Sequence, residues 1–348
     1  MSTFNLSKKL NKFKTSLPKK GAFTIETEPD FPKLHTLCIA SGKRGGGKSI
    51  ATANFIKSCK DKHYYDRVWL VTPTYYSNKA IWDIAEIEEE DTFEPDITVL
   101  KDISKMVEAE RAEWDHFLHL KEMYKKFQKD IRKPINRLDP ETLLEYQDLD
   151  FFEGPPTWKY PVEQPPRLGV IIDDCLGTPL LSKPSAGLVN MCIKHRHLGK
   201  GLGISIFMLV QSYCAQGGIN RAIRENCTML LLFKLNQDAQ IKKLYSETDL
   251  DMTEEQFIDM CKEVHSIDYN FLLMDFAPKD PSMKFRSGWD TLIQPKIKYN
   301  VNEMMFYSPN EEDKLRRLYR FEEYVEKQLT KPLIICPGET DSDVYIQD

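Results

Sequence analysis

The residues Gly42-Lys43-Arg44-Gly45-Gly46-Gly47-Lys48-Ser49 follow the order G-x-x-x-x-G-K-S. Glycines at these positions let the backbone turn tightly and aim several N–H groups at one anion. A helix starting where the loop ends adds its positive dipole end to the same spot. Lys48 is then placed to reach the β- and γ-phosphates of a nucleoside triphosphate, and the Ser49 hydroxyl to ligate Mg²⁺. ATP and Mg²⁺ are therefore the expected ligands.

Two further elements could work with this loop. Val170-Ile171-Ile172-Asp173-Asp174 ends a buried run with two carboxylates, some 120 residues downstream. Carboxylates there are costly unless a cation or a reacting water uses them. Asp173 is expected in the Mg²⁺ shell, and Asp174 is placed to orient or deprotonate the attacking water. An Asp-Asp pair also ends ordinary strand turns, so the glycine loop upstream is what gives it weight. Gln211 closes the run Ile204–Val210. A neutral amide there can bond both a γ-phosphate oxygen and the water without adding charge. The same placement points to the ATPases in which an additional strand lies between the glycine-loop and acidic strands.

These residues need a scaffold, and its pattern is legible. The apolar run from Leu34 to Ala40 leads straight into the glycine loop, and residues 49–60 follow as a helix. This strand–loop–helix order is the context that the loop requires. A second strand is expected at 67–72, ended by Pro73. From 101 to about 130, Ile103, Met106, Val107, Trp114, Phe117, Leu118, Tyr124 and Phe127 fall near helical spacing. Prolines then punctuate the chain up to 166. Residues 101–166 thus read as a helical and irregular insertion, a lid or a contact for another subunit. The core pattern resumes with a strand at 168–172, a helix at 185–195, and strands at 204–210, 228–234 and 271–274. Thr253-Glu254-Glu255-Gln256 is a capping-box pattern opening a late helix. Alternating strands and helices predict an α/β fold with a mainly parallel central sheet. The ATPase domain is placed at 31–300, between a basic N-terminal arm at 1–30 and a C-terminal segment, 301–348, with a helix near 310–328 and an acidic end.

Composition narrows the partners. The chain has 348 residues, 41% hydrophobic and 29% charged, ordinary values for a chain with a sizeable core. Apolar runs such as Met229–Phe233 fall far short of the roughly 20 residues that span a bilayer, so no transmembrane segment is expected. The N-terminus lacks an apolar stretch before a small-residue cleavage site, which speaks against secretion. Eight scattered cysteines without a C-x-x-C pair fit buried thiols in a reducing compartment. His116 and His119 could share a helix face, but no cluster completes a metal site around them. With a net charge of −5, any nucleic-acid contact must use a local patch. Two candidates stand out. Lys194, Arg196, His197 and Lys200 alternate with Gly199, Gly201 and Gly203, and Lys8, Lys9, Lys12, Lys14, Lys19 and Lys20 lie in a stretch free of acids.

In the order GKRGGGKS, VIIDD, His195-Arg196-His197, Gly203 through Gln211, then Arg221-Ala222-Ile223-Arg224-Glu225-Asn226-Cys227, the chain resembles the FtsK–HerA superfamily of P-loop ATPases. Within it, the chain is most similar to the genome-packaging ATPases of large eukaryotic DNA viruses and virophages, the poxvirus-like type. The match covers roughly 34–275 without the insertion. The resemblance implies a RecA/FtsK-like fold of the additional-strand type. It implies nucleotide binding by Gly42 to Ser49, metal ligation by Ser49 and Asp173, and catalysis by Asp174 with Gln211 as sensor. Arg196 is similar in placement to the arginine that the family inserts into a neighbouring subunit's site, with Arg224 its rival and Arg221 third. Many family members carry Glu where this chain has Asp174. The implied function is a ring-forming homo-oligomer that moves double-stranded DNA into a capsid in the host cytoplasm or viral factory, docked on a viral capsid or membrane protein. A HerA-like helicase or repair translocase is the second reading. The third is a nucleotide-binding virion assembly module with little turnover.

Overall fold

Apolar side chains fill nearly every position of β1 (Leu37–Ser41), β2 (Arg67–Val71), β4 (Leu168–Asp173), β5 (Ser205–Val210) and β6 (Met229–Phe233). In the computed structural model every one of these residues except Arg67 is buried. Strands covered on both faces need no polar alternation, which is why they read as continuous apolar runs. The structure describes residues 25–293, apart from 30, 133–138, 176, 183–185, 214–218, 236–237, 249 and 251. Most of the basic arm and the C-terminal helix and tail lie outside the described residues.

Helices separate the strands. α1 (Lys48–Asp61) follows β1, and α2 (Lys79–Ile84) leads from β2 to the two-residue β3 (Thr92–Phe93). The 32-residue α3 (Val99–Asp130) and α4 (Pro140–Asp148) precede β4. Two single turns, α5 (Pro179–Ser182) and α7 (Leu198–Gly201), flank α6 (Ala186–Lys194) before β5. α8 (Arg221–Glu225) enters β6, and α9 (Asp238–Glu247) and α10 (Glu254–Val264) follow it. The chain then adds β7 (Phe271–Asp275), β8 (Phe285–Ser287) and β9 (Thr291–Leu292). The capping box is formed: Gln256 N–H donates to Thr253 Oγ1 at 3.2 Å, and Thr253 N–H to Gln256 Oε1 at 2.9 Å.

One sheet runs β3-β2-β4-β5-β1-β6-β7-β8-β9. Pairings from β3 through β6 are parallel, and those from β6 through β9 are antiparallel. The predicted mainly parallel sheet is present, and β5 stands between β1 and β4. Register aligns the carboxyl ends: Ser41 is opposite Val210 and Leu232, and Asp173 is opposite Leu209. The glycine loop, the acidic pair and Gln211 therefore leave the sheet along one edge.

Alternate residues serve opposite faces. Leu37 and Ile39 join Leu188 and Cys192 of α6 and Phe257 and Cys261 of α10. Cys38 and Ala40 join Ala53, Ile56 and Cys59 of α1 and Trp82 of α2. α3 divides between two surroundings. Its first turns place Val99, Leu100, Ile103 and Val107 in the first of these cores, so residue 101 falls inside a core helix. Further along, Phe127 packs with Tyr146 and Phe151 in a separate cluster, where Tyr146 donates to Asp130 at 2.8 Å. Among the described residues no helix is long and apolar enough to cross a membrane.

Candidate nucleotide-binding site

The glycine loop begins tethered to the neighbouring strand, with Gly42 N–H donating to Val210 O at 3.2 Å. A Cβ on Gly42 would lie 2.4 Å from Phe233 Cβ at the end of β6, so only glycine fits against that strand. Gly46 N–H closes a turn onto Lys43 O at 3.2 Å, while the Lys43 and Arg44 side chains stay exposed. At the start of α1, Gly47 adopts φ 93° and no side chain caps the helix. The first N–H groups of α1 are thus left for an anion.

Lys48 folds back over the loop, its Nζ donating to Gly42 O at 2.8 Å and Lys43 O at 3.0 Å. Burial lowers its pKa, and the charges of Asp173 and Asp174 work against that shift. Ser49 Oγ donates to Asp173 Oδ2 at 3.1 Å. Asp173 is 4% exposed, and burial, helped by the Asp174 charge, pushes its carboxyl up to about 6. Ser49 and Lys48 offset only part of that cost. A hydroxyl beside a buried carboxylate is a hard-oxygen set that suits Mg²⁺, which takes one or two protein oxygens and completes its shell with phosphate and water. The residues fit the ion.

Asp174 is exposed and sits at φ 51°, a left-handed conformation that aspartate tolerates better than most residues. Its Oδ1 accepts from Gln211 Nε2 at 3.3 Å. The ends of β1, β4 and β5 thus bring Lys48, Ser49, Asp173, Asp174 and Gln211 into one linked cluster.

The two arginines differ. Arg224 donates twice to the Glu247 carboxylate, at 2.8 and 3.0 Å. It also donates to Ile219 O and lies 5.5 Å from the Tyr213 ring centroid, so its guanidinium is committed within its own chain. Arg196 lies in the exposed turn after α6 and makes no ion pair among the described residues. His116 and His119 line a cleft of about 470 Å³ between α3 and α4. No group of three metal-ligating side chains occurs among the described residues. Sequence reasoning passed over two aromatics against the loop, Phe233 and Tyr269. Phe233 lay within the strand expected at 228–234, but the pattern could not show which neighbour it touched.

A glycine loop at the end of β1, an acidic pair at the end of β4 and an intervening β5 define the P-loop NTPase fold of the additional-strand type. No protein-family model matches the sequence, and no curated protein does. Among solved structures, the chain is similar to EssC (ATPases 2 and 3) from Geobacillus thermodenitrificans, with 14% identity and a TM-score of 0.40. That match covers 87% of this chain and 47% of the EssC chain, so this chain spans about half the length of that relative. It is also similar to the genome packaging NTPase B204 from Sulfolobus turreted icosahedral virus 2 in complex with ATP-gammaS. There the identity is 10% and the TM-score 0.35, with 74% of this chain and 98% of the other covered.

Proposed function

We propose that the chain hydrolyses ATP and, as a ring of identical subunits, moves double-stranded DNA into a viral capsid. The observation that carries the catalytic part is the linked pair Ser49–Asp173 and Asp174–Gln211 at adjacent strand ends. The loop from Gly42 to Ser49 holds the phosphates, and Lys48 swings from its carbonyl partners onto them. Ser49 and Asp173 hold Mg²⁺, which when bound neutralises phosphate charge. Asp174 orients the attacking water and accepts its proton, and Gln211 releases Asp174 to bond the water and the γ-phosphate.

Arg196, exposed and without an ion pair among the described residues, is favoured over Arg224 as the cation offered to a neighbouring subunit. Such a residue raises hydrolysis by roughly 10³–10⁵. The same exposed stretch carries Lys194, His197 and Lys200, a basic surface suited to phosphate contact without base readout. Packaging, with docking on a capsid or membrane protein in the host cytoplasm or viral factory and carriage in the virion, rests on the family resemblance.

Hydrolysis measured with and without linear duplex DNA tests the motor reading. Duplex should stimulate turnover, with an effect that falls steeply as salt rises. ATP binding with little turnover and no stimulation by DNA would favour the assembly module, and strand separation would favour the helicase. In the same assay, mixing Arg196→Ala with Lys48→Ala subunits should restore part of the activity. Full activity of Arg196→Ala alone would remove it from the site.

A further inference from the structure

Because β7 runs antiparallel to β6, its first residue, Phe271, lies opposite Phe233 at the edge where the glycine loop sits. The turn that enters β7 is thereby carried to the loop. A Cβ on Gly47 would lie 3.4 Å from Tyr269 Cβ and 3.6 Å from the ring atom Cδ1. Tyr269 is 75% exposed. Its ring and hydroxyl have no partner among the described residues. Its backbone is left-handed, at φ 61°, a conformation that is uncommon for a bulky residue and held only where the surroundings enforce it. The surroundings do enforce it. Asn270 Nδ2 donates to Val264 O at 3.2 Å and to Ser287 Oγ at 2.7 Å, and His265 Nε2 bonds Leu232 O at 2.8 Å. A braced turn thus holds a bare aromatic ring in water beside a phosphate-binding loop. Ile50, the residue after Ser49, adds a second exposed apolar side chain at the start of α1.

We propose that Tyr269 is the platform on which the base of the bound nucleoside triphosphate stacks. This rests on reading the glycine loop as the nucleotide site. With the phosphates held at Lys48 and Ser49, the nucleoside must leave the loop across exposed surface, and Tyr269 supplies a flat apolar face there. Every base has such a face, so the contact sets affinity and not base identity.

The test compares the full chain's Kd for ATP with its Kd for inorganic tripolyphosphate, which lacks ribose and base, both with Mg²⁺. Tyr269→Asn removes the ring and keeps a residue at ease in the left-handed region. It should weaken ATP by between about 5- and 150-fold, the range for loss of one base–aromatic stack. Tripolyphosphate binding should stay as it was, and Tyr269→Phe should bind ATP as the wild type does. An equal loss for both probes would mean that Tyr269 only shapes the loop through Gly47, and no loss for ATP would place the ring elsewhere, against a second subunit or nucleic acid. Either result overturns the proposal. If Tyr269→Asn does not fold, Tyr269→Gly gives the same comparison. Failure of the underlying reading looks different. In that case the wild type binds neither probe, or Lys48→Ala binds both as the wild type does.

Discussion

Asp173 shows how far a residue's type and place foretell its chemistry. Its position at the end of an apolar run announced a costly carboxylate, and the structure gives the cost a direction. The folded state holds its proton up to about pH 6, whereas the unfolded chain releases it near pH 4. The folded state binds more protons across that window, so stability falls as pH rises through it. Asp173→Asn should therefore stabilise the nucleotide-free protein at pH 7.5 by about 1–3 kcal/mol. The gain should shrink as pH falls from 6 towards 4, in thermal melts of the two proteins. Destabilisation of equal size at both ends of the range would mean that burial of the carboxylate has no such cost. Other residue-scale features were closed to sequence reading. The bond between Gln211 and Asp174 crosses two strands, and the ion pair that occupies Arg224 depends on Glu247 from a different helix. Neither partner lies at a spacing that a one-dimensional pattern can detect.

Among the elements, fully buried strands were the most legible, because continuous apolarity survives in sequence without knowledge of neighbours. Their direction was not. An antiparallel β7 and a parallel one carry the same apolar residues, so the β7–β8–β9 edge emerged only from the pairing. α3 was legible as a helix, but an amphipathic stripe does not say what covers it. Its first turns pack on the sheet, whereas Phe127 belongs to a separate cluster with Tyr146 and Phe151. The glycine loop packs closely against β6. The Cβ of Gly42→Ala would sit 2.4 Å from Phe233 Cβ, and neither atom can swing away because both are bonded directly to backbone. The substitution should cost about 1–3 kcal/mol in denaturant unfolding. An unchanged midpoint would show that the loop does not lie against β6 in this way.

For the whole molecule, strand order is what makes the scattered motifs one site. Residues 42–49, 173–174 and 211 are far apart in the chain, yet β4, β5 and β1 are adjacent and end in register. The motifs were readable as motifs, and the additional strand was predicted from the polar residue that closes it. Their convergence required long-range pairing that no local pattern encodes. Every role assigned to these residues depends on ATP turnover at this edge. The most direct measurement is Mg²⁺-dependent ATP hydrolysis by the wild type and by Lys48→Ala, with circular dichroism and melting temperature as the check on folding. The wild type should hydrolyse ATP, and Lys48→Ala should lose at least about 10²–10³-fold in rate with its fold unchanged. A folded Lys48→Ala that hydrolyses ATP at the wild-type rate would contradict the account.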